Sequence, residues 1–150
     1  PGGNGAVASH HGQMAYAAGQ FATPGDAQTS VYVLRVLTTN ATPHRLYLNS
    51  FDELLTVPAN RAMTFDILVV ARSDGNLTAG YEMHGVIGNY NGTTRFVGAP
   101  TVMILGEDSS YWDATVQADD ANDALDVVVT GFPGLNIRWV ATVRTAELAT

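Results

Sequence analysis

Apolar residues recur at every second position along two stretches of this chain. From Ala62 to Arg72, Met63, Phe65, Ile67, Val69 and Ala71 fall on one face, with Thr64, Asp66, Leu68, Val70 and Arg72 on the other. From Leu135 to Arg144, Leu135, Ile137, Trp139, Ala141 and Val143 share a face opposite Asn136, Arg138, Thr142 and Arg144. A period of two is the mark of a strand with one buried and one polar face. Trp112, Ala114 and Val116 repeat it against Asp113, Thr115 and Gln117. Thr29 to Thr38, TSVYVLRVLT, is dense in β-branched and aromatic residues, apolar on both faces, and predicts a central, well-buried strand. Shorter strands are predicted at Arg45–Asn49, Glu53–Val57, Gly80–Gly88, Thr93–Val97, Thr101–Leu105 and Ala124–Gly131.

Turn signals separate these stretches. Asn89-Tyr90-Asn91-Gly92 is the clearest, because Asn-Gly supplies the positive φ angles of a type I′ hairpin. No stretch carries a helical period. About nine short strands with regular turns predict an all-β domain over residues 28–150, an antiparallel β-sandwich of jelly-roll type. Asp66 stands among apolar neighbours on its strand. If buried it needs donors, and a structural partner such as an arginine explains it better than catalysis.

Residues 1–27 follow another rule. Gly5, Gly12 and Gly19 lie seven apart, as do Val7, Met14 and Phe21, and Ala8, Ala15 and Ala22. A coiled coil is opposed by a glycine in every heptad, each costing about 1 kcal/mol in a helix interior. It is opposed too by one strongly apolar residue per heptad where two are needed. A tightly wound parallel β-roll fits better. Glycine turns the corner, alanine lets backbones approach, the larger residue points inward, and two heptads make one turn of about fourteen residues. One and a half turns bury too little alone, so the pattern implies identical neighbours around one axis, a homotrimer. An extended Gly/Ala arm is the other reading of these residues.

Composition sharpens the picture. Of 150 residues, 46% are apolar and only 14% charged, which implies an exterior that is polar but not ionic. A net charge of −7 argues against nucleic acid or an anionic membrane as partner. No apolar run is long enough to cross a bilayer, so membrane insertion is not expected. The absence of cysteine removes disulfides and thiolate sites and fits folding in a reducing cytoplasm. A start at Pro1, with no signal-peptide pattern behind it, suggests a piece cut from a longer polypeptide.

The repeat G-x-[apolar]-A resembles the β-roll heads of trimeric autotransporter adhesins and short segments of bacteriophage tail fibres. The string GQMAYAAGQFATPGDAQTSVYVLR, Gly12 to Arg35, is similar to the entry into the C-terminal region of phage tail-fibre or tail-associated, receptor-binding proteins. That resemblance implies a homotrimeric tip in the virion tail, assembled in the host cytoplasm and contacting a host-surface glycan or protein.

Catalytic patterns are thin. There is no phosphate-binding glycine loop with a lysine and no G-x-S-x-G elbow. His10 and His11, adjacent on a strand, point to opposite faces, although three copies of one of them around an axis can meet at a metal. Asp119-Asp120-Ala121-Asn122-Asp123 has the composition of a calcium loop without its order and reads as a turn. Asp52-Glu53 and Glu107-Asp108 are the carboxylate pairs a glycosidase would need, but acidic residues at strand ends are common. His44 and His84 read as surface or hydrogen-bonded residues. No metal, cofactor or catalytic residue is therefore assigned.

The candidate ligand contacts are Asn89, Tyr90 and Asn91 at the hairpin tip, and Tyr111 in a loop, where a stiff amphipathic ring can stack on a sugar. The function expected is structural and host-recognising. A carbohydrate-binding module of a larger enzyme, or a fibre-capping domain without receptor contact, are the alternatives; an enzyme, either a depolymerase or a self-cleaving domain, is a third.

Overall fold

The computed structural model describes residues 2–150, and among them there are strands, turns and loops but no helix. Eleven strands form: β1 (Gly2–Asn4), β2 (Met14–Ala18), β3 (Ala27–Thr38), β4 (His44–Arg45), β5 (Arg61–Ser73), β6 (Thr78–Asn89), β7 (Thr94–Phe96), β8 (Thr101–Glu107), β9 (Asp113–Asp119), β10 (Ala124–Thr130) and β11 (Ile137–Ala149). The all-β expectation stands. The additional strands are β1 and β2, drawn from the Gly/Ala segment. Glu53–Val57 does not form a strand and keeps only a bridge from Thr56 to Ala124.

Two unequal layers result. The larger sheet has eight strands in the order β1-β2-β3-β11-β5-β6-β7, with β8 alongside β7 on the same edge of β6. The smaller sheet is β4-β10-β9. This differs from the two balanced sheets of a jelly roll. The large sheet is also mixed rather than wholly antiparallel, because β1 pairs parallel with β2.

That parallel pair sets Gly2 opposite Tyr16 and Asn4 opposite Ala18, an offset of two heptads. The three heptad glycines all take left-handed φ values (82°, 67° and 147° for Gly5, Gly12 and Gly19), which an L side chain resists. Ala15 and Ala17 are buried. The larger residues do not point inward, however: Val7, Met14 and Phe21 are 41, 63 and 82% exposed. A single turn has no second layer within the chain to receive them.

The core lies between the inner faces of the two sheets. Met63, Phe65, Ile67, Val69 and Ala71 of β5 and Ile137, Trp139, Ala141 and Val143 of β11 are buried as their alternation requires. Leu125, Val127 and Val129 of β10 close the layer from the other side, with Leu46, Leu48, Leu55 and Val57 from the loops. Each such side chain contributes about 1.5–3 kcal/mol when fully buried. Strand β3 is buried on one face only: Tyr32 and Leu34 point in, while Val33 and Leu37 are half-exposed. The small sheet covers just one side of the large one, so the second apolar face of TSVYVLRVLT meets no layer. Asp66 likewise sits on the open face, between Arg144 of β11 and His84 of β6 in register, with His84 the one within ion-pair distance.

Candidate ligand-binding site

Three connections converge at the end of the large sheet where β6 begins: the β5–β6 turn, the β8–β9 loop and the β10–β11 turn. They enclose an open cleft of about 400 Å3 lined by Leu77, Ser109, Tyr111, Trp112, Phe132, Pro133, Gly134 and Leu135. Tyr111 is 72% exposed, and its ring lies 5.4 Å from that of Phe132, inclined at 54°.

The loop is held from both sides. The Asp108 backbone N–H donates to Thr78 O (3.0 Å), and the Asp108 carboxylate accepts from the Thr78 N–H (2.8 Å). Behind it, buried Trp112 packs on Trp139 at 5.9 Å, and Trp139 stacks with Tyr81 at 6.4 Å. The Trp139 indole N–H donates to Thr38 Oγ1 (2.9 Å), and the Tyr81 hydroxyl donates to Glu107 (3.1 Å). Burial and that carboxylate push the Tyr81 hydroxyl well above the ordinary tyrosine range, so it remains a donor. The indole N–H of Trp112 is buried without a hydrogen-bond partner among the described residues.

The opposite turn is fixed by Gly134 N–H to Thr39 O (3.1 Å) and Leu135 N–H to Phe132 O (3.3 Å). The β5–β6 turn, which reaches the cleft through Leu77, carries Asp74 and Asn76. Asp74 accepts from Asn136 (3.0 Å) and Asn76 from Arg72 (2.9 Å). The site is thus an apolar floor with two exposed aromatic edges on a buried aromatic support. Such a surface fits the apolar face of a sugar ring, with polar turns beside it for hydroxyl groups. Its lining contains no carboxylate.

The sequence candidates divide between two ends of the molecule. Asn89, Tyr90 and Asn91 lie at the far end of β6 from Tyr111; eleven residue steps separate Thr78 from Asn89, about 36 Å at strand rise. Asn89 is buried, and its amide is engaged at both ends, donating to Val57 O (2.8 Å) and accepting from Gly92 N–H (2.7 Å). Asn91 and Gly92 have φ of 56° and 87°, and Tyr90 and Thr93 exchange both backbone bonds, as a type I′ hairpin requires. Tyr90 lies beneath the Arg95 guanidinium, 4.5 Å from its ring centre. Only Tyr111 borders the cleft. Its partner Phe132 lies in the Phe132-Pro133-Gly134 turn, where an aromatic beside a Pro-Gly turn was the available signal.

The remaining polar candidates have structural partners. His10 Nε2 is 2.9 Å from Thr56 Oγ1, and the ring stands edge-on to Tyr32. The His11 backbone N–H donates to Glu53 (2.8 Å), and His44 contacts Asn40. Asp119 accepts from Asn122 and pairs with Arg45 at 2.8 Å, which together hold its carboxyl below the usual range against the opposing effect of burial. Asp120 and Asp123 accept from Thr94, and Asp52 from Asn49. On the open face, His84 Nδ1 and Nε2 face Asp66 (3.2 Å) and Glu82 (3.0 Å) respectively. Each ring nitrogen therefore has its own carboxylate, and one ligand atom from each of the three groups lies within 4.8 Å of the other two.

One polar cluster escaped sequence reasoning altogether. Glu147 is buried and accepts from Thr145 (2.7 Å), Arg61 (2.8 Å), Tyr32 (2.9 Å) and Gln28 (3.0 Å). A chamber of about 30 Å3, room for a water molecule, lies beside it beneath Val7, Ser9, His10 and Gln13.

No protein-family model matches the chain, and no curated protein sequence is significantly similar to it. Among solved structures, the chain is similar to the tailspike protein gp49 of Acinetobacter baumannii bacteriophage Fri1, a capsular polysaccharide depolymerase. Identity is 12% and the TM-score 0.40, over 83% of this chain and 20% of that one. The chain thus spans about a fifth of the length of the tailspike.

Proposed function

We propose that this chain is a host-recognition module of a phage tail fibre, homotrimeric in the assembled virion, and that it binds a host-surface glycan at the Tyr111–Phe132 cleft. The observation that carries the glycan site is the contacting pair of exposed aromatic rings at a cleft that buried Trp112 also lines. Contact between the two rings restrains both before binding, which reduces the freedom lost when a sugar stacks on them. The phage assignment is supported by the Gly12–Arg35 string, and the trimer by heptad side chains left without cover in one chain. The cleft lining offers no pair of carboxylates for glycoside hydrolysis, which favours binding without turnover.

Binding of the chain to an array of bacterial capsular and lipopolysaccharide glycans tests this reading. Tyr111→Ala and Phe132→Ala are each expected to weaken binding about tenfold, the equivalent of one stacked ring, while Tyr90→Ala leaves it unchanged. Binding that survives both cleft substitutions, or that is lost with Tyr90→Ala instead, overturns the site. Release of oligosaccharides from a bound glycan overturns the non-catalytic reading.

A further inference from the structure

The face of the large sheet that the small sheet does not cover carries an unusual number of exposed apolar side chains among its charged and threonine residues. Strand register places Val33 and Leu37 of β3, Val140 of β11, Leu68 and Val70 of β5 and Met103 of β8 on it. Each of the six is between 39 and 54% exposed. Pairing of Met14 with Val31 and of Tyr16 with Thr29 extends the same face onto β2, where Met14 and Tyr16 are more exposed still. Open faces of two-layer proteins are ordinarily polar, and a contiguous apolar patch beyond a few hundred Å2 marks an interaction surface.

We propose that this open face is the docking surface for a second copy of the same chain. The inference deepens the self-association part of the proposed function and is independent of the glycan cleft. Three observations select the occupant. First, the face is the right size. From the Tyr16 row to the Leu37 row is about 27 Å, and β2 to β8 is about 24 Å across. The resulting plane of roughly 650 Å2 is shared between two neighbours in a ring, so each pairwise contact covers about 325 Å2 of either copy, and three copies together cover about 2,000 Å2, a total that stable assemblies reach.

Second, its charges complement each other between halves. Arg35 and Arg144 stand on the β3–β11 half, while Asp66 and Glu82 stand on the β5–β6 half, with His84 between the two carboxylates. The other two arginines lie at one end and are occupied, Arg72 by Asn76 and Arg138 by Asp74. Arg144 and Asp66, like Val140 and Val70, are cross-strand neighbours at one height of the sheet, so setting the basic half of one copy on the acidic half of the next brings the same pairs together between copies. Repetition about an axis along the strands closes a ring.

Third, the Gly/Ala repeat leads onto this face. Met14, one of the three heptad residues left exposed, projects from it. The repeat and the sheet thus ask for cover on the same side, as they do if one axis serves both.

The test is molecular mass in solution, by light scattering, for the intact chain at tens of micromolar. The expected mass is three times the 15.9 kDa of one chain. A dimer supports the docking surface and overturns the threefold part of the proposed function; a monomer overturns the docking surface. Leu68→Lys, at the centre of the face, is expected to give a folded monomer that still binds the glycan. Phe51→Lys, on an exposed loop away from the face, is expected to leave the mass unchanged. Should Leu68→Lys and Val140→Lys both keep the full mass with unchanged far-ultraviolet circular dichroism, the face is not the interface.

Discussion

Glu147 shows what one residue can demand of its surroundings. Burial by itself pushes its carboxyl up, but donation from Thr145, Ser30, Tyr32 and Gln28 outweighs this and holds it below the ordinary range. The folded state therefore binds the proton less readily than the unfolded chain. Its stabilising contribution is fully present above the unfolded value near 4.5 and disappears as pH falls through the lower folded value. Asp126 has the opposite sign. Burial, only partly offset by Arg45, raises its carboxyl, so its ionisation costs stability as pH rises above the unfolded value. Glu147→Gln is expected to destabilise the fold by about 3 kcal/mol at pH 7, because it leaves Arg61 with a neutral partner in a buried site. Urea unfolding at pH 7 and at pH 3.5 measures this, and the difference from wild type is expected to shrink at the lower pH. Sequence reasoning passed over this residue because Thr145 and Glu147 interrupt the apolar alternation of β11. Only partners 86 to 119 residues away make their inward position tolerable.

At the scale of single elements, local chemistry was readable wherever it is self-sufficient. The alternation in β5 and β11, and the Asn-Gly turn between β6 and β7, depend on the residue itself and its immediate neighbours, and the structure has them as expected. Gly92→Val places a β-branched residue at φ 87°. It is expected to cost about 1–2 kcal/mol, read as a lower urea midpoint with little change in slope, and to leave glycan binding intact because the cleft lies at the other end of β6. Strand β3 is legible only in part. Its composition shows that both faces are apolar but not whether a layer exists to cover each of them. The Glu53–Val57 stretch has strand composition but one bridge, made by Leu125 N–H to Leu55 O and Val57 N–H to Asp123 O, because farther along that edge of β10 Val127 O accepts from Leu46 instead. The cleft was half visible: Tyr111 stands out as a loop aromatic, whereas Phe132 gains its role only through a loop that follows another strand.

For the molecule as a whole, the segment before β3 and the sheet depend on each other unequally. The core cluster begins at Tyr32 and includes nothing earlier. Yet Val7 is bonded in both directions to Gln28, and Gln13 donates to Ser30 and Tyr32. Asp26 accepts from the backbone N–H groups of Phe21, Ala22 and Thr23, bonds that hold its carboxyl below the usual range. Removal of residues 1–27 is accordingly expected to leave a cooperative all-β fold with a melting temperature lower by roughly 5–10 °C. Differential scanning calorimetry is the measurement, and loss of a cooperative transition would mean that the segment is part of the core.

The order of residues along this chain settles which side chains alternate, where the backbone must turn left-handed and how far apart the repeat returns, because steric and periodic constraints act over a few neighbours. Which apolar face is covered, which aromatic rings meet at the cleft and which donors surround Glu147 depend on contacts between strands distant in sequence. Packing supplies them, and a period of two, identical on both sides of a strand, carries no record of where the second layer ends.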